Sequence, residues 1–151
     1  MYRSQNVRFC GEISAGSDAE HPPGAAVAGI VRRNLLQRGW KVSEMDNWRD
    51  CGWLFVCQMN EARLEVLLVS MAIPHSWYLV ISPEYTPRLM GWILGRKPSA
   101  MPSDIYALAR DVHQILFQVR EFGNIQWCWD DIPNDNNSSD EPLEPLTAQE
   151  E

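Results

Sequence analysis

The sequence predicts an α+β fold: a two-layer sandwich in which an antiparallel β-meander of about 4–6 strands packs against two main helices, in the order β-α-β-β-β-β-α-α-β. Three observations carry that expectation. Four strand-like runs follow one another between residues 40 and 82, joined too closely for anything but antiparallel neighbours. The stretches before and after them place apolar residues at helical spacing. Each of these amphipathic elements needs a second layer against which to bury its apolar side.

The first element is a strand over Val7–Ile13, where Val7, Phe9 and Gly11 alternate with Arg8, Cys10 and Glu12. A loop rich in Gly, Ser and Pro follows over Ser14–Gly24. Ala25–Arg38 reads as a helix, with Val27, Val31 and Leu35 on one stripe and Gly39 as its stop. The meander comprises Trp40–Trp48, Trp53–Met59, Ala62–Ala72 and Trp77–Ser82. Asn60-Glu61 and Pro74-His75-Ser76 make its last two turns. Pro83–Pro102 is a proline-rich hinge, in which Leu89–Leu94 forms a brief helix closed by Gly95. The long helix begins at an N-cap Ser103 with Asp104 in its first turn and ends at Gly123. Its apolar stripe is Ile105, Leu108, Val112, Ile115, Leu116, Val119 and Phe122. Ile125–Trp129 is the final strand. From Ile132 onward Asn, Asp, Ser, Pro and Glu dominate, so residues 1–131 form one globular domain and 132–151 a disordered acidic tail.

The net charge of −7 belongs to that tail. Eight of the 20 acidic residues and none of the 13 basic ones fall in 130–151, which leaves the body close to neutral. A near-neutral body lacks the basic stripe that nucleic acid requires, so no nucleic-acid partner is expected. No apolar run is long enough to span a bilayer, and no apolar core follows Arg3 and Arg8 as in a secretory leader. With no sign of export, Cys10, Cys51, Cys57 and Cys128 read as reduced thiols in a cytoplasmic protein.

Motifs that would carry chemistry are missing. Cys51 and Cys57 do not have a zinc-knuckle spacing, and joining Cys128 and His75 to them requires an assumed tertiary meeting. His21, His75 and His113 are scattered, without a nucleophile elbow or a paired-histidine metal helix. Gly95-Arg96-Lys97 lacks a phosphate cradle, and Glu44 with Asp46 read as exposed acids on an edge strand. No cofactor and no metal are expected. Seven tryptophans either build the core or line an apolar pocket, with Trp92 in the hinge as the exposed one.

The long helix carries a second line beside its core stripe: Tyr106, Arg110, His113, Phe117 and Arg120. Aromatic and arginine side chains together compose interface anchors more than plain solvent faces, although the same flank would also pack under the proline-rich segment. The expectation is a non-catalytic protein-binding module, of adaptor, chaperone or immunity type, acting through this flank and Trp92 on another protein. Two alternatives stand beside it: a small-molecule binder with a Trp-lined pocket, and an enzyme using an unrecognised thiol.

Overall fold

The computed structural model describes residues 2–13, 22–85 and 99–146. Its centre is one open antiparallel sheet. The strands are β1 (Gln5–Cys10), β2 (Lys41–Val42), β3 (Asp46–Trp48), β4 (Gly52–Met59), β5 (Ala62–Ser70), β6 (Ser76–Pro83) and β7 (Gly123–Trp129). They lie in the order β2-β4-β5-β6-β1-β7, with β3 also paired to β4. The meander is therefore β4-β5-β6, and the first and last strands of the domain complete the same sheet beyond β6. Val7 sits opposite both Leu79 and Trp127 in that arrangement.

The run expected as one strand over Trp40–Trp48 is two strands. Val42 pairs with Cys57 and Asp46 with Leu54, so one extra residue is accommodated on the edge side between them. Ser43 holds the bulge closed: its N–H donates to Val56 O, and its Oγ accepts from Val56 N–H at 2.8 Å. The bulge has a consequence for direction. Val42 shares a side with the core residue Cys57, whereas Asp46 and Trp48 share a side with Leu54 and Gly52.

Both helices cover the same face of the sheet. Helix α1 (Ala25–Gln37) buries Val27, Ala28, Val31 and Leu35, and Gly39 follows with φ 97°, a left-handed conformation that suits glycine. Helix α2 (Pro102–Gln118) buries Ile105, Leu108, Ala109, Val112, Ile115 and Leu116. Against them stand Val7, Phe9, Phe55, Leu64, Val66, Leu68, Leu79, Ile81 and Trp127, each at most 1% exposed. Trp40 ties the helices together, donating its indole N–H to Asp111 of α2 at 2.7 Å.

The ends of α2 differ from expectation. Its N-cap is Met101, not Ser103: Pro102 opens the helix at a position whose N–H has no helical partner, and Asp104 accepts the Met101 N–H at 2.8 Å. The helix stops at Gln118, since Val119 turns extended at ψ 114°. That turn swings Phe122 into the core, where it meets Phe9 edge-on at 5.1 Å between ring centres. The brief helix expected at Leu89–Leu94 lies outside the described residues.

The acidic segment corrects the expectation of disorder over 132–146. Ser139 exchanges two backbone hydrogen bonds with Trp127, of 2.9 and 3.0 Å, so the segment pairs with the outer edge of β7. Leu143 is gripped by the side chain of fully buried Gln5, whose Oε1 accepts from Leu143 N at 2.7 Å and whose Nε2 donates to Leu143 O. Trp129 Nε1 also donates to Leu143 O, and Pro133 is buried. Composition misjudged this segment because its backbone, buried Pro133 and the carboxylates of Asp135 and Glu144 make contact with the body, the last two accepting from Gln126 and Tyr106.

Candidate functional site

The flank of α2 survives as a surface, in a modified form. Tyr106, Arg110, His113 and Phe117 lie on the helix, at spacings that place them along one side. Arg120 falls beyond the helix end, in the turn before β7, and is exposed. Trp92 lies outside the described residues. The Arg110 guanidinium sits 5.8 Å from the centre of the Tyr106 ring. Phe117 is 77% exposed, the most exposed large apolar side chain among the described residues. No part of the described chain covers it.

The acidic segment borders this flank. Glu144 Oε1 accepts from the Tyr106 hydroxyl at 3.5 Å, and Glu141 joins His113, Gln114, Phe117 and Gln118 around an open cleft of about 190 Å³. That volume falls short of the roughly 300–1,000 Å³ of small-molecule sites. A second cleft of about 230 Å³, between Lys41, Ser43, Val56, Gln58 and Arg63, is similarly small. Neither is lined by tryptophan.

His113 is anchored from below. Its Nδ1 accepts the indole N–H of Trp127 at 3.1 Å, so the neutral imidazole carries its proton on Nε2. Burial lowers the His113 pKa, and the nearby Glu141 carboxylate pulls it part of the way back. Trp127 is fully buried, which leaves His113 as the partner that satisfies its N–H. The residue thus works as a structural acceptor beneath an exposed phenylalanine.

The tryptophan surplus has a plain explanation. Trp40, Trp53, Trp77, Trp127 and Trp129 each spend their indole N–H on a partner distant in sequence: Asp111, Pro22 O, Gly11 O, His113 and Leu143 O. They fill the core with one end and tie down a loop, a helix or the acidic segment with the other. Trp48 is different, because it stands on the side of the sheet away from the helices.

That side is a surface the sequence reasoning missed. Asp46, Leu54, Leu67 and Val80 stand in one cross-strand row, and Trp48, Gly52, Val69, Tyr78 and Arg8 in the next. Leu54, Leu67, Val69, Tyr78 and Val80 are all partly exposed, and none of them packs against the main core. Gly52 keeps the second row flat. A Cβ there would come within 2.3 Å of Leu68 O and 2.7 Å of Val69 Cγ1. A signal was present in β4 and β5, whose outward phase carries Leu54, Val56, Leu67 and Val69 beside the polar Gln58, Arg63 and Glu65.

The candidate ligands do not gather. Cys57 is buried on the helix side of β4, Cys51 is exposed, Cys128 is buried on β7, and His75 is exposed in the β5–β6 turn. Burial pushes the Cys57 thiol up to about 12, so at neutral pH it is a packed thiol and not a nucleophile. Among the described residues no three His, Cys, Asp or Glu side chains come together as a metal site, and no helix is long and apolar enough to cross a membrane. Compared with protein-family models, with curated proteins and with solved structures, the chain matches none.

Proposed function

We propose that this chain is a non-catalytic protein-binding module, of adaptor, chaperone or immunity type, working in the cytoplasm on another protein and not on nucleic acid or a membrane. The observation that carries the reading is Phe117: a phenylalanine 77% exposed on a helix whose opposite side is fully buried. Leaving a large ring in water forfeits on the order of 2 kcal/mol that burial would return, and a partner surface returns it. Arg110, stacked on Tyr106, and exposed Arg120 supply a cationic rim. Glu141 and Glu144 add an acidic border on the same side. Apolar centre and mixed-charge rim together are interface anatomy.

The test is capture from native cells by the tagged full chain, at low and at high salt. Phe117→Asp abolishes retention of the partner while the melting temperature stays that of the wild type, since the ring contributes little to the fold. Arg110→Glu weakens retention most at low salt, where screening is least. Retention of the same partner by Phe117→Asp refutes the assignment of this flank.

A further inference from the structure

We propose that the outer edge of β7, together with the Gln5 amide, is a receptor for an extended segment of another protein, and that residues 139–144 occupy it in cis. The argument starts at Gln5. It stands in the core-facing phase of β1 with Val7 and Phe9, yet it is an amide and fully buried. Both ends of that amide serve one residue: Oε1 accepts from Leu143 N–H at 2.7 Å, and Nε2 donates to Leu143 O at 3.2 Å. A buried amide used in this way reads a peptide backbone as a neighbouring strand would. Trp127 on β7 exchanges a second backbone pair with Ser139, and the Trp129 indole N–H donates to Leu143 O at 2.9 Å.

These bonds all end on main-chain atoms of the segment, so another chain lying extended along the same path makes them equally well. Side chains hold the cis occupant loosely. Leu143 leaves 39% of its surface exposed and Leu146 50%. Pro142 and Pro145 disfavour a helical backbone at Glu141 and Glu144, which keeps the segment extended. The chemistry of the trans occupant follows: no proline at the two paired positions, and a carboxylate directly after the clamped residue. In cis that carboxylate is Glu144, which accepts from the Tyr106 hydroxyl at 3.5 Å, with the Arg110 guanidinium over the Tyr106 ring. Among the other carboxylates nearby, Asp140 and Glu141 leave with the cis segment. Asp130, Asp131 and Asp135 are engaged by the N–H groups of Arg3 and Ser4, of Ile132 and of Gln126.

A fluorescently labelled free peptide of residues 136–146 is the probe, and its anisotropy on titration with the full chain is the measurement. Ser139→Pro with Leu143→Pro removes both N–H donors of the cis segment, and this double variant binds the peptide about 10-fold tighter or more than the wild type. Adding Gln5→Leu abolishes that binding, and a peptide carrying the two prolines does not bind. Glu144→Lys in the peptide weakens binding about 3-fold or more; an unweakened peptide overturns the carboxylate preference. The wild type alone gives a second measurement: excess unlabelled peptide speeds amide exchange at Ser139 and Leu143 of the isotopically labelled chain. Equal affinity for wild type and double variant, binding that survives Gln5→Leu, or exchange unaffected by the peptide overturns the proposal. Phe117 lies outside these contacts, so Phe117→Asp leaves peptide binding as in the wild type, and the result is separate from that of the capture experiment.

Discussion

His113 offers the most exact test of how the fold closes over its last strand. The Trp127 ring is fully buried and its N–H reaches His113 Nδ1 at 3.1 Å. Replacing the imidazole with leucine keeps apolar bulk on α2 but removes the acceptor, stranding a buried donor. An unpaired buried N–H costs about 1–3 kcal/mol. For a chain of this size each kcal/mol moves the melting temperature by about 2–4 °C, so His113→Leu melts several degrees below the wild type. His113→Asn keeps an acceptor near the same place and loses less, with a helix-propensity cost of about 0.5 kcal/mol.

The same bond fixes a pH dependence. Protonation turns Nδ1 from acceptor to donor, opposite a donor that has nowhere to go, and burial already lowers the folded-state pKa of His113. The unfolded chain therefore takes up the proton first. The contribution is complete above the unfolded value near 6.5 and is lost as pH falls from there through the folded value. Groups facing the imidazole are Trp127 beneath it, Phe117 one turn on and the Glu141 carboxylate, which moderates the effect. Urea titrations at a series of pH values give the slope. The wild type loses stability between about pH 7 and 5, and His113→Asn shows a shallower slope over that range. Equal slopes, or a His113→Leu variant as stable as the wild type, would refute the reasoning.

Three further outcomes follow from named contacts. Ending the chain after Ser138 removes the Ser139 bridge and both bonds from Leu143 to the Gln5 amide; the urea midpoint falls by the equivalent of about 1–3 kcal/mol, and an unchanged midpoint would show the segment to be undocked. Gly52→Ala forces a Cβ to within 2.3 Å of Leu68 O and costs about 2–3 kcal/mol. Gly29→Ala, at a half-buried position of α1 where a Cβ meets nothing within 4 Å, instead gains about 0.5–1 kcal/mol, and thermal melts of the two substitutions should move in opposite directions. In a native thiol titration Cys51 is modified first and Cys57 only on unfolding, because burial holds the Cys57 thiol near 12; rapid native modification of Cys57 would revive a thiol chemistry.

The periodicities that made the fold legible are the ones imposed by burial on a single side. The Leu108–Val112–Ile115 stripe declares α2, and the alternation in β4 and β5 declares two paired strands. What stayed hidden is set by backbone events with no side-chain period. One extra residue at Ser43 splits an edge strand and redirects Trp48 to the far face. The extended turn at Val119 ends a helix whose apolar spacing runs on to Phe122. Around Leu143 the segment is held by main-chain groups bonded to Gln5 and Trp129, contacts that leave no mark in a composition rich in Asp and Glu. The candidate flank was half legible for a related reason. Spacing identifies which residues share a helix side, and it says nothing about whether another element comes to cover them. Here Tyr106 and His113 acquire neighbours from 141–144, while Phe117, beside Glu141 at the open cleft, keeps most of its ring exposed.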